Sequence, residues 1–279
     1  MHKMKVTSQL RCLCEGSQFT PVFIYETPPK GETRFLSSSA SYRREVLRCD
    51  VCGHFVSVHE MDADTLYTGD YVTATYGKGG IHQAFERIVA LDPEKSDNIG
   101  RVRRILDFSK IYFNSSSPRD GNPSVLDVGS GLCVFLHRMK TFGWECTALD
   151  PDIRSIEHAK ETVGVKTIFG DFMEMDDFGR FDVVTFNKVL EHVKDPIAML
   201  EKTLAHVKPE GFVYVEVPDG EMAVSDGPER EEFFIEHWHI FSATSVALLA
   251  SRAGFSLRAL ERLREPSNKY TLRAFLVGA

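Results

Sequence analysis

The sequence predicts an α/β chain built on a doubly wound, mostly parallel sheet, preceded by a small cysteine-bearing module. Three observations predict it. The run Val125-Leu126-Asp127-Val128-Gly129-Ser130-Gly131 is an apolar strand carrying an acid, then two glycines that can turn the backbone into a helix. A second acid-ended strand, Thr147-Ala148-Leu149-Asp150-Pro151, places its acid 23 residues after Asp127. From Val125 onward strand-like and helix-like segments alternate, which implies parallel strands joined by crossovers.

Each element follows from local pattern. Residues 1–78 hold Pro21, Pro28, Pro29 and the Ser37-Ser38-Ser39 tract, so short strands and loops are expected there. Cys12, Cys14, Cys49 and Cys52 also lie in this stretch. A module this small has a thin core and benefits from a metal staple. Residues 79–118 form a helical connector: Ile81, Phe85, Ile88 and Val89, then Val102, Ile105 and Leu106, recur at helical spacing, with a break near Asp92-Pro93. A loop rich in serine and proline ends it. Within 119–279, strands are expected at 125–128, 145–149, 165–169, 181–187 and 212–217, with helices at 131–141, 152–162, 195–207 and 242–253. Two last strands, 255–262 and 270–277, have only a short link and can run antiparallel.

Composition excludes some functions. The chain has 279 residues, 43% apolar and 26% charged, which is ordinary for a soluble globular protein. Its formal charge of −7 provides no general pull on nucleic acid or anionic membrane. No stretch of about 18 apolar residues predicts a membrane span. The N-terminus lacks the apolar core of a secretory signal, so a cytoplasmic location is expected. Six cysteines in such a chain point to metal ligands or buried thiols rather than disulfides.

The motifs limit the chemistry. Positions 129–134 read Gly-Ser-Gly-Leu-Cys-Val, so the third glycine of a dinucleotide fingerprint is missing. A carboxylate at Asp150 can take both ribose hydroxyls of a nucleoside, or cap the helix that Pro151 opens. Asp171 can accept from an adenine amino group or simply close a turn. Phe172 beside it can stack on a base. Cys49-x-x-Cys52-Gly53-His54 has metal-knuckle spacing, and Cys12-x-Cys14 would complete four ligands for one structural zinc, with His54 as a substitute for one of the tighter pair.

In combination these residues resemble class I S-adenosylmethionine-dependent methyltransferases. The resemblance rests on Val-Leu-Asp-Val-Gly-Ser-Gly, Leu-Asp-Pro, Gly-Asp-Phe and the run Phe-Asp-Val-Val-Thr-Phe-Asn-Lys-Val-Leu-Glu-His-Val (181–193), with Lys208-Pro209-Glu210-Gly211 similar to the family's Lys-Pro-Gly-Gly turn. It covers about residues 120–279 and implies a seven-stranded, Rossmann-like sheet. It further implies that Asp127, Gly129 and Gly131 hold the methionine portion of the cofactor and Asp150 the ribose. Asp171 and Phe172 would flank adenine, and Asn187 would line the methyl-transfer edge. Cys133 stands where the family usually has glycine.

A methyl acceptor that carries a proton needs a base, and histidine suits that near neutral pH. Two clusters qualify: Glu191-His192, and Glu236-His237-Trp238-His239. His192, Glu236 and His237 are the catalytic candidates; the alternative is structural packing. Glu-His, an aromatic, Phe241-Ser242 and a helix ending Ala253-Gly254-Phe255 are similar to sugar C-methyltransferases of surface-polysaccharide clusters. There a tyrosine often sits where Phe234 stands here. Relatives of that kind often carry an N-terminal zinc module with two cysteine pairs and a Tyr-x-x-x-Tyr stretch, which Tyr67 and Tyr71 match, with Tyr76 beyond.

The expected activity is methyl transfer to a small polar acceptor, foremost a nucleotide sugar or glycan-precursor sugar, with Lys188, Arg230 or Arg34 meeting its charge. One alternative is a methyltransferase acting on a protein or other macromolecule gripped by the zinc module. Strand 181–187 leads into Asn187-Lys188-Val189-Leu190, not the Asn/Asp-Pro-Pro-Tyr/Phe of enzymes that methylate exocyclic amines. A second alternative is a non-catalytic module that binds the cofactor.

Overall fold

A computed structural model describes residues 10–32, 42–59, 80–114 and 121–279. The N-terminal strands are β1 (Phe19–Tyr25), β2 (Arg44–Cys49) and β3 (Phe55–His59). Helices α1 (Gly80–Val89) and α2 (Asp97–Asn114) follow, with a short 3-10 turn at Pro93–Lys95 between them. The alternating region comprises β4 (Ser124–Val128), α3 (Val134–Lys140), β5 (Glu145–Asp150), α4 (Ile153–His158), β6 (Lys166–Phe169) and β7 (Phe181–Asn187). It continues through α5 (Pro196–Lys202), β8 (Val207–Pro218), α6 (Gly220–Ala223), β9 (His239–Ile240), α7 (Ala243–Arg252), β10 (Phe255–Arg264) and β11 (Tyr270–Gly278).

Seven strands make one sheet in the order β10-β11-β8-β7-β4-β5-β6. The five from β8 to β6 pair in parallel, and β11 runs antiparallel to both β8 and β10. The doubly wound expectation therefore holds, including the antiparallel pair at the end. Side-chain alternation sends neighbouring residues into two separate cores. Leu126, Val184, Val213 and Val215 face one, with Leu200, Val246 and Leu249 from α5 and α7. Val125, Val183, Phe212 and Tyr214 face the other, with Val102, Ile105, Leu136 and Met139 from α2 and α3. A strand covered on both faces needs apolar residues on both, which is why β7 carries Val183 and Val184 side by side, one for each core.

Some boundaries move for local reasons. Helix α3 starts at Val134 because Cys133 takes a left-handed conformation, φ 57°. The helix expected at 152–162 is regular only to His158 and continues as one π turn over Ala159–Val163. The Lys208-Pro209-Glu210-Gly211 turn lies inside β8 as a bulge, since pairing with β7 jumps from Phe181↔Val207 to Val183↔Phe212.

A second sheet has the order β1-β2-β3-β9, all antiparallel. Its last strand comes from the far end of the chain, through Phe55↔Ile240 and Val56↔His239. Cys12, Leu13, Cys49 and Cys52 pack into the same core as α5 and α7. The module expected at 1–78 is thus completed by residues beyond 200 and seated against the main sheet. Among the described residues no helix is long and apolar enough to cross a membrane. Tyr67, Tyr71, Tyr76, Arg34 and the Ser37–Ser39 tract lie outside the described residues.

Candidate active site

Along the carboxyl ends of β4, β5 and β7 runs a cleft of about 1120 Å³. Such edges are where open α/β sheets place ligands. Its walls include Asp127, Gly129, Gly131, Asp150, Asp171, Phe172 and Asn187 at one end, and Glu191, His192, Glu236 and His237 at the other. The structure therefore brings the catalytic and cofactor-binding candidates, Asp127 to Asn187 and His192, Glu236 and His237, to one cavity.

The glycine loop is held by the next strand. Gly129 and Ser130 donate their N–H groups to Leu149 O (2.8 and 3.2 Å), and Gly131 N donates to Asp150 Oδ2 (2.8 Å). At Gly129, φ 68°, a Cβ would come within 2.9 Å of Val189 Cγ2, so no larger residue fits without displacement. Asp150 also accepts from Asp152 N (2.9 Å). Burial raises its carboxyl above the ordinary range, against the pull of those two amides.

Asp127 is 2% exposed and accepts from Thr185 Oγ1 and Asn187 Nδ2, each at 2.7 Å. Burial pushes its carboxyl up to about 6, and these hydrogen bonds only partly oppose the rise. No cation forms an ion pair with Asp127 or Asp150 among the described residues. Thr185 escaped the sequence reading, yet its signal was present: it lies two residues before Asn187 on a strand, so both face the same way. Ser130 Oγ and Asn187 Oδ1 are buried and without hydrogen-bond partners among the described residues. Desolvated carboxylates, orphaned polar atoms and a loop too tight for a Cβ are what a cationic, hydrogen-bonding cofactor would satisfy.

At the far end of the same lobe Asp171 is exposed and accepts from Met173 N (2.7 Å). The Phe172 ring is 2% exposed and packs against Phe178, Phe186 and His206. It forms floor rather than an open stacking face. The exposed apolar side chains of this lobe are Phe169 and Ile153, 56% and 47% exposed. Sequence reasoning missed both, because exposure of a large apolar residue is a tertiary property.

The acceptor lobe is built from two distant segments. A 3-10 turn at Leu190–His192 follows β7, and Trp238 N donates to Glu191 O (2.8 Å) to hold the second segment against it. The His192 and His237 rings sit edge to face, 4.9 Å between centroids. His192 Nδ1 donates to Glu236 O (2.9 Å) and His237 Nδ1 to Glu232 O (2.8 Å). A carbonyl can only accept, so Nδ1 carries the proton and Nε2 the lone pair in each neutral ring. Burial lowers both imidazoles below their ordinary range, His237 the more strongly because His192 is beside it. Burial likewise raises Glu236, and lifts Glu191 to about 7. His239 belongs elsewhere: its Nδ1 meets Nε2 of the buried His54 (3.0 Å).

Of the cations expected near the acceptor, Lys188 lines the cleft and donates Nζ to Thr271 Oγ1 (2.9 Å). Arg230 pairs with Glu232 (2.7 Å) and is not part of the lining. Lys269 and Tyr270, which the sequence did not single out, do line it.

The cysteines converge apart from the cleft. Cys12 Sγ lies 3.4 Å from Cys52 Sγ and Cys14 Sγ 3.6 Å from Cys49 Sγ, with all four sulfurs within 4.8 Å of one another. Tetrahedral zinc with Zn–S bonds of about 2.3 Å sets S···S edges of about 3.8 Å, so four thiolates fit one ion. His54 is no substitute ligand, because both its ring nitrogens are engaged, Nδ1 with Ser245 Oγ (3.1 Å) and Nε2 with His239.

Residues 85–260 match the family described as a methyltransferase domain. The chain belongs to that family. Its fold is accordingly the Rossmann-like methyltransferase fold, with the antiparallel strand β11 second from one edge of the sheet. A ubiquinone biosynthesis O-methyltransferase of Vibrio parahaemolyticus is 36% identical over 97 residues, 32% of this chain and 41% of the relative. The cypemycin N-terminal methyltransferase of a Streptomyces species is 28% identical over 115 residues, 39% of this chain and 46% of the relative. The chain thus spans less than half the length of either of these curated relatives. Among solved structures, the 1,6-didemethyltoxoflavin-N1-methyltransferase of Burkholderia thailandensis superposes with a TM-score of 0.55 at 16% identity, covering 89% of this chain and all of that one. Magnesium protoporphyrin IX methyltransferase of Synechocystis gives 0.55 at 12%, covering 75% and 97%. At such identities the structural likeness speaks for the fold alone.

Proposed function

We propose that this protein transfers a methyl group from S-adenosylmethionine to a hydroxyl of a small polar acceptor. One observation carries the proposal. A single cleft has unpaired carboxylates around a glycine loop at one end, and two neutral histidines flanked by carboxylates at the other. The first end suits a cationic nucleoside and the second suits removal of a proton.

In this reading Asp127, Asn187 and the Gly129–Gly131 backbone hold the methionine portion. Asp150 takes the ribose hydroxyls. Asp171 meets the adenine amino group, Phe169 and Ile153 cover its faces, and Phe172 supports the floor. When bound, the cofactor supplies an electrophilic methyl group on a sulfonium. The chain then has to orient the acceptor and take its proton. His237 Nε2 is the proposed proton acceptor, fixed by its Nδ1 bond to Glu232 O. His192 and Glu236 hold the neighbouring hydroxyls. The four cysteines hold a structural zinc that fixes the N-terminal sheet against α7.

The acceptor lobe favours a hydroxylated molecule of low charge. Glu191, Glu231, Glu232 and Glu236 line it. Its lysines are engaged, Lys269 with Glu231 (3.1 Å) and Lys188 with Thr271. A glycan-precursor sugar or a phenol suits this lining. A nucleotide sugar needs both lysines to turn toward its diphosphate. Oxygen as the acceptor atom accords with the names of several relatives, ubiquinone biosynthesis O-methyltransferases.

The test is transfer of labelled methyl from S-adenosylmethionine to free sugars, nucleotide sugars and polyhydroxylated aromatics, alongside calorimetry with S-adenosylhomocysteine. Label in a hydroxylated product supports the reading. Tight cofactor binding with no label in any acceptor would favour a non-catalytic module. Label in protein alone would favour a macromolecular acceptor.

A further inference from the structure

Glu191 is the least explained group in the cleft. It is 1% exposed, and its Oε2 has no hydrogen-bond partner among the described residues. The nearby Lys188 gives its Nζ to Thr271 and forms no ion pair with Glu191. A buried carboxylate oxygen left so is costly unless something binds it. Beside it stand two imidazoles of fixed tautomer. Each donates Nδ1–H to a backbone carbonyl, which is the outer-shell arrangement that presents Nε2 to a metal. One ligand atom from each of Glu191, His192 and His237 lies within 4.8 Å of the others.

We infer that Glu191, His192 and His237 form a second metal site, for a first-row divalent ion, that opens on the acceptor lobe. Two imidazoles and one carboxylate suit manganese, iron, cobalt, nickel or zinc. Metal–ligand bonds of about 2.0–2.2 Å hold adjacent donors about 3 Å apart, so side-chain rotation of less than about 2 Å closes the triad. Three protein ligands leave positions for water or for the oxygens of a small molecule. The site differs in kind from the four-cysteine cluster, where sulfur fills every position. With an ion in place the Nε2 atoms of both rings are ligands, so His237 serves as proton acceptor only in the ion-free protein and Glu236 would take that role in the loaded one. The inference goes beyond methyl transfer and does not depend on it, since the ion alone is the probe.

The full chain, tag removed and stripped with chelator, is titrated with cobalt(II) while its electronic spectrum is recorded. Two sets of bands are expected. One shows the intense sulfur-to-cobalt charge transfer of a thiolate site. The other shows only the weak visible bands of a nitrogen–oxygen site. Glu191→Gln and His237→Gln should each weaken the second set at least tenfold and leave the first intact, which also reports that the protein is folded. Cys52→Ser should remove only the first. A wild-type protein that takes up a single equivalent of cobalt, or a second set that persists unchanged in Glu191→Gln and His237→Gln, overturns the inference. The S-adenosylhomocysteine affinity of each variant is measured in parallel, so failure of the metal site is distinguishable from failure of the methyl-transfer reading.

Discussion

Two buried carboxylates on strands that flank β7 have opposite surroundings. Glu216 on β8 is 0% exposed and meets Arg101, Arg273 (3.3 Å) and the Tyr214 hydroxyl (2.7 Å). Burial alone would raise it, but the arginines hold it well below the usual carboxylate range. Asp127 on β4 is almost equally buried and has only neutral donors, and it rises to about 6. Glu191, one turn beyond β7, rises to about 7 for the same reason. The fold thus neutralises an acid between two cores and leaves acids without a cation partner along the cleft. Charge that the protein itself does not balance marks the site better than charge as such.

The largest expected effect is on the balanced side. Glu216→Ala leaves Arg101 without its carboxylate partner and Arg273 with Glu265 alone, so unfolding free energy should fall by about 3–5 kcal/mol in urea denaturation. On the unbalanced side, His237→Ala should lower methyl transfer at least about 100-fold while the S-adenosylhomocysteine affinity changes less than about threefold in calorimetry. Loss of cofactor binding in that variant would sink the acceptor-lobe assignment.

Asp127→Asn should separate stability from function. Cofactor affinity should drop about tenfold or more, the loss of one charge-assisted contact. Stability should hold or rise, because the carboxyl moves from 3.8 to about 6 on folding, a cost of up to about 3 kcal/mol once it ionises. The sign follows from linkage. A carboxyl raised by folding binds more protons in the native state, so its contribution is lost as pH rises through about 6. Glu216, held low, behaves oppositely, with stability present above its unfolded value of 4.5 and lost as pH falls below it. Melting temperatures of the unliganded protein should therefore peak at mildly acidic pH, and Asp127→Asn should flatten the decline on the alkaline side. An unchanged profile would show that Asp127 is not the desolvated group.

The smallest effect concerns Cys133. Its φ of 57° is a conformation that glycine adopts without strain, at a relief of about 1–2 kcal/mol. Its thiol is 1% exposed in the core beneath α3, so Cys133→Gly also loses that burial. The two should offset to within about 1 kcal/mol in thermal denaturation. A larger loss would mean that the thiol is essential to the packing below the glycine loop.

Much of this was legible beforehand. The sheet strands, the helices between them and the positions of Asp127, Asp150 and Asn187 all follow from local patterns. Position on the sheet's carboxyl edge is enough to put those three residues in the cleft. Phe172 shows the limit. Being next to Asp171 does not say which way its ring points, and the interior claimed it, leaving Phe169 and Ile153 in the open. The acceptor lobe was half legible: Glu-His pairs can be seen in a sequence, but their meeting cannot.

The sequence by itself determined the repeating strand–helix order, the two glycines at the turn, the acids at the strand ends and two cysteine pairs with metal spacing. Those depend on neighbours within a few residues, where periodicity, turn chemistry and chelate geometry act directly. Only the tertiary structure decided that His192 meets His237, that Cys12 and Cys14 reach Cys49 and Cys52, and that β9 completes the N-terminal sheet. These contacts join residues more than 30 positions apart. Their formation depends on sheet order and on which faces two cores bury, and no local signal carries that information.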